Sequence, residues 1–150
     1  QEVDMSYLNL KFASAALALV ISPALHAQNS DSADEILAIG LKTLQQIDSG
    51  QFDRLWEDSS SVTKAQMNKE TFAADVRNSR KKFGSVVNRQ WAGVIRVSYA
   101  QDSAMPPPGQ YANANFRTKL NNGTFVFEKV SLRLEPQGWK VLGYVNSQTN

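Results

Sequence analysis

The apolar period of this chain changes once, at Gly84. Before it, Ile36, Leu37, Gly40, Leu41, Leu44 and Ile47 recur at the spacing of one helix face, and Ser32 with Glu35 supplies a capping box. Gly50 closes that helix. Residues 51–58 suit a short second helix showing Phe52, Leu55 and Trp56, and Ser59-Ser60-Ser61 reads as a break. Asn68 is placed to cap a third helix carrying Phe72, Val76, Ser79 and Phe83 on one side. Beyond Gly84 the period is two, over residues 86–99, 110–120, 124–134 and 139–145, with a proline-stiffened loop at 102–109. Helices followed by sequential strands predict an α+β domain: N-terminal helices packed on one face of a curved four-stranded antiparallel sheet, of the cystatin-like or cone type.

Register follows from the turns. A three-residue loop with Gly123 in a left-handed conformation pairs Thr118 with Val126, Ala114 with Val130 and Ala112 with Leu132. A one-residue slip would send each side chain to the opposite face, so this register is the one that segregates apolar from polar residues. Strict alternation then turns Val87, Arg89, Trp91, Gly93, Ile95 and Val97 inward on the first strand. On the last strand, Trp139, Val141, Gly143 and Val145 point inward and Tyr144 outward.

The N-terminus has a different character. Met5 opens a polar stretch containing Lys11, Phe12 to Ile21 is apolar, and Ser22-Pro23-Ala24-Leu25-His26-Ala27 follows. That order is the order of a secretory signal peptide, expected to span 5–27 and to be cleaved after Ala27, with residues 1–4 an upstream remnant. The apolar run is about half the roughly 20 residues that a membrane-spanning helix needs. Cleavage leaves residues 28–150 as a single globular domain with no stable membrane span, periplasmic or secreted.

The chain has no cysteine, and its one histidine, His26, departs with the signal. Metal sites built on imidazole or thiolate, Ser-His-Asp and Cys-His nucleophiles, and disulfides are therefore excluded from the domain. No metal and no cofactor is expected. Ser61-Val62-Thr63-Lys64 matches an S-x-x-K pattern but lacks its companion motifs. Arg77, Arg80, Lys81 and Lys82 gather at a helix C-terminus, where cations complement the dipole; with export, no nucleic-acid partner is expected.

Two charges fall on the inward face of the sheet, Arg89 and Glu128. Neither could stay buried alone, so they are expected to meet as a structural ion pair. Glu128 is also the one weak catalytic candidate, because a carboxyl on an apolar face can do acid–base work. Trp91, Phe116 and Trp139 could line a pocket between helices and sheet. The outward face carries Arg117, Lys119, Lys129, Arg133 and Lys140 among aromatic residues that include Tyr111 and Tyr144, a composition suited to recognising an anionic or protein partner.

The run from Gly84 to Tyr144 resembles the bacterial domain of unknown function 4019. The residues that carry the resemblance are Gly84, Arg89, Pro107-Pro108-Gly109-Gln110-Tyr111, Phe116-Arg117-Thr118, Glu128, Gly138-Trp139 and Gly143-Tyr144. It implies an exported bacterial protein and supplies no established activity; the element order also looks like the nuclear transport factor 2-like cone. Three functions are consistent with these residues. The first is a non-catalytic binding or interaction module for an unknown protein or anionic partner in the envelope. The others are a carrier of a small apolar ligand in a cone pocket, and a His-independent acid–base enzyme using Glu128.

Overall fold

A computed structural model describes residues 32–148. The expected signal peptide, and the residues before it, lie outside the described residues. Helix α1 (Ala33–Asp48) begins where Ser32 accepts a hydrogen bond from the Glu35 N–H, and α2 (Phe52–Glu57) follows after Gly50. At the end of the expected break a further short helix begins, α3 (Ser61–Gln66), whose N-cap is Ser60. Helix α4 (Lys69–Lys81) starts at Asn68, which caps it by accepting from the Thr71 N–H. Among the described residues no helix is long and apolar enough to cross a membrane.

Strands β1 (Val86–Tyr99), β2 (Gly109–Leu120), β3 (Phe125–Glu135) and β4 (Gly138–Gln148) form one antiparallel meander in sequence order. The fold is α+β, as expected, with the helices against one face of the sheet. Gly123 adopts φ +83°, and the β2–β3 register pairs Thr118 with Val126, Ala114 with Val130 and Ala112 with Leu132, as the turn predicts.

Strict alternation fails in two places. In β1 the register shifts between Val86 and Asn88 and again between Trp91 and Gly93, so that Val94 and Arg96, not Ile95 and Val97, face Ala114 and Ala112. In β4, Leu132 pairs with Val141 as expected, but a bulge then brings Tyr144 opposite Val130. A bulge inserts one residue and exchanges inside for outside along the rest of the strand. Tyr144 is therefore turned to the helix side, while Val145 is 54% exposed.

The core is Ile36, Leu44 and Ile47 of α1, Leu55, and Phe72 and Val76 of α4, packed on Ala112, Ala114, Phe116, Val130, Leu132, Trp139 and Val141. Helix α1 comes closest at Gly40, where an added Cβ would lie 2.7 Å from the Ala114 Cβ and 3.0 Å from the Phe116 ring. The outer edge of β4 is covered at Val141: Ser60 N–H donates to the Val141 carbonyl, and Val141 N–H donates to that of Asp58. That pairing hides backbone groups that would otherwise template aggregation.

Candidate functional site

The pair expected between Arg89 and Glu128 is present. Arg89 Nε donates to Glu128 Oε2 at 2.8 Å, and both side chains are more than nine-tenths buried. Thr118, opposite Arg89 on β2, gives its hydroxyl to the same carboxylate oxygen. Glu128 Oε1 accepts from the Tyr144 hydroxyl at 2.8 Å. On the far side, Arg89 Nη1 donates to Asp48 Oδ2 at 2.9 Å, and Asp48 Oδ1 accepts from Arg80 Nε at 2.9 Å. Asn146 closes the chain, donating to the Tyr144 hydroxyl and to Ser79 Oγ. Two cations and two anions thus alternate from α4 through α1 and β1 to β3, while hydroxyls and an amide tie in β2 and β4.

The electrostatics follow from this arrangement. Burial alone would lower the Arg89 pKa, but its hydrogen bonds to Asp48 and Glu128 outweigh burial and raise it, so the guanidinium stays charged. Burial raises the Tyr144 phenol, and the adjacent Glu128 carboxylate raises it further, keeping the hydroxyl a donor. Each Glu128 oxygen is occupied by donors fixed in the core, a geometry that suits holding elements together.

Asp48, Arg80, Ser79 and Asn146 are absent from the sequence-derived site, and Tyr144 appears there with the wrong orientation. Asp48 did carry a signal. It is the last residue of α1, where the helix dipole disfavours a negative charge, so it needs cations from elsewhere.

The pocket candidates differ in exposure. Phe116 and Trp139 are buried members of the core, and α1 packs directly onto Ala114 and Phe116 at Gly40. Trp91 pairs with Phe116 at the bulge of an edge strand and is 67% exposed.

On the uncovered face of the sheet the expected binding residues separate into two groups. Arg117, Lys119 and Lys129 are exposed, and the Arg117 guanidinium lies 3.6 Å from the centre of the Phe125 ring. Phe127 and Val145 stand exposed beside them. Tyr111, by contrast, is only 7% exposed: the proline loop folds over it, and its hydroxyl donates to the Pro107 carbonyl. Arg133 is engaged in the same place, donating to the Tyr111 hydroxyl and the Pro108 carbonyl and pairing with Glu135. Burial acts to raise the Asp58 carboxyl, hydrogen bonds from Lys42 and Gln46 hold it below its ordinary value, and Lys140, half-buried opposite Arg133, adds to that lowering. Tyr144 belongs to the other face altogether. The four strands contain two acids, Glu128 turned inward and Glu135 engaged with Ser61 and Arg133. The face around Arg117, Lys119 and Lys129 is therefore cationic and apolar without a competing carboxylate.

Among the described residues there is no cluster of three or more His, Cys, Asp or Glu side chains that could hold a metal ion.

The family described as "Protein of unknown function (DUF4019)" matches residues 40–144. The chain belongs to this family. The matched span contains Asp48, Arg80, Arg89, Thr118, Glu128 and Tyr144, so the family's extent includes the ionic core of the buried network. No curated protein matches the chain. A solved structure from Campylobacter jejuni, described as an NTF2-like transpeptidase, is 18% identical, covers 75% of this chain and 99% of its own, and superposes with a TM-score of 0.48.

Proposed function

We propose that residues 28–150 are an exported, non-catalytic binding module of the bacterial envelope whose uncovered sheet face docks an acidic protein surface. One observation carries this reading: Arg117, Lys119 and Lys129 are exposed next to Phe127 and Val145 on a face with no free acid. Apolar contact supplies area, and the cations supply orientation and association rate. The full enclosure of Glu128 by Arg89, Thr118 and Tyr144 supports a structural role for it, leaving acid–base catalysis the weaker alternative.

The test is a titration of a fluorescent poly-glutamate peptide against the parent domain and an Arg117→Glu/Lys119→Glu/Lys129→Glu variant. The parent should bind in low salt and weaken as the ionic strength rises, since charges beyond about 10 Å are screened at 0.1 M. The variant should melt like the parent and lose binding at least tenfold. Equal affinity in parent and variant would reject this face as the docking surface. Intact-mass analysis of the exported protein should find an N-terminus at Gln28; retention of the whole chain in the cytoplasm would reject export.

A further inference from the structure

A second site lies on the helix side of the sheet, independent of the docking face. Between α3, α4 and β4 is a cleft of about 300 Å³, at the small end of the range for ligand pockets. Met67, Phe72, Val76 and Leu142 form its apolar walls, and Met67 is a side chain that adapts to irregular shapes. Its polar lining is mostly committed elsewhere. The Thr63 hydroxyl donates to the Leu142 carbonyl, Ser79 Oγ accepts from Asn146, and the Tyr144 hydroxyl both donates to Glu128 and accepts from Asn146.

One group is not committed. Asp75, on α4, lines the cleft, is exposed, and has no ion pair or hydrogen bond among the described residues. Its neighbours at the helical i±3 and i±4 spacings, Thr71, Phe72, Asn78 and Ser79, include no cation. The nearby helix cations are occupied: Arg77 stacks on Phe52, and Arg80 pairs with Asp48. An apolar slot bordered by a carboxylate unpaired among the described residues is complementary to an apolar body bearing a single positive charge. We propose that this cleft binds a small aryl- or alkyl-ammonium molecule, its hydrocarbon part against Phe72, Val76 and Leu142 and its ammonium on Asp75. The Phe72 and Tyr144 rings can add cation–π attraction.

The experiment is a titration of 2-phenylethylamine into isotopically labelled domain at pH 7, followed by methyl and amide NMR, with 2-phenylethanol and 3-phenylpropanoate as isosteric controls. The amine should shift the Met67, Val76 and Leu142 signals and bind at least tenfold tighter than the alcohol, and the propanoate should bind weakest. Asp75→Asn should reduce the amine to the level of the alcohol while leaving the melting temperature unchanged, because Asp75 makes no hydrogen bond or ion pair among the described residues. Met67→Trp should fill the cleft and abolish the shifts for all three. Equal binding of amine and alcohol, unchanged amine affinity in Asp75→Asn, or shifts confined to other surfaces would each overturn the assignment. The triple reversal on the docking face leaves this site intact, so the two proposals fail separately.

Discussion

Replacing Arg89 with Met removes the cation that joins both halves of the buried network and retains most of its volume. Glu128 would then sit 3% exposed with only the Thr118 and Tyr144 hydroxyls as donors, an ion without its counter-ion. Breaking such a pair from one side costs about 3–5 kcal/mol. Asp48 fares better, since Arg80 remains at 2.9 Å. Glu128→Leu should cost less than Arg89→Met, about 1–3 kcal/mol, because Arg89 keeps Asp48 at 2.9 Å while two hydroxyls lose their acceptor. The double variant should be more stable than Arg89→Met alone, since no buried charge is left unpaired. At about 4 °C per kcal/mol for a domain of this size, Arg89→Met should melt roughly 12–20 °C below the parent. Urea unfolding at pH 7, followed by far-UV circular dichroism, measures all four proteins. A loss under about 1 kcal/mol for Arg89→Met, or a double variant as unstable as the sum of the singles, would refute the reasoning.

Gly40→Ala should destabilise by about 1–3 kcal/mol by overpacking, although alanine favours a helix by about 1 kcal/mol, since its Cβ would press on Ala114 and Phe116; a thermal melt at or above the parent's would contradict that close approach. Acid should also destabilise the domain. Burial alone would raise the Glu135 carboxyl, but hydrogen bonds from the Ser61 hydroxyl and N–H, with Arg133 and Lys140, outweigh it and hold it below its ordinary value. Burial likewise acts to raise Asp58, and Lys42 and Gln46 reverse it. A depressed folded pKa adds stability above the unfolded value that is lost as pH falls through the folded one. Unfolding free energy should therefore hold down to about pH 5 and decline below about pH 4.5. Glu135→Gln should flatten that decline; an unchanged acid limb in the variant would count against the role of Ser61 and its partners.

The change of period at Gly84, the caps at Ser32 and Asn68, and the turn at Gly123 are local features, and each was readable from neighbouring residues alone. The Arg89–Glu128 contact was also readable, through burial: two opposite charges on one apolar face have few other places to go. What strict alternation missed were the bulges of β1 and β4, which carry Ile95, Val97 and Val145 outward and Tyr144 inward. Gly93 and Gly143 lie at those bulges, and a glycine inside a strand is the available sign of one. Helix α3, with six residues, is too short to show a period. The covering of Tyr111 by the proline loop is close in sequence, its hydroxyl reaching a carbonyl four residues back, but it also uses Arg133 from β3, and no period or composition encodes that.

The buried charges also bear on which sheet this chain builds. If β3 slipped by one residue against β2, Phe127 would turn toward the helices and Glu128 toward water. Phe125 and Phe127 are apolar enough to make such a face plausible in hydrophobic terms alone. The slipped sheet, however, would leave Arg89 without Glu128 and would separate Thr118 and Tyr144 from their shared acceptor. That slip thus strands an ion and two hydroxyls that the observed alignment pairs. The network's contribution is then selectivity among competing pairings, which it exerts even where its net effect on the depth of the native well is small.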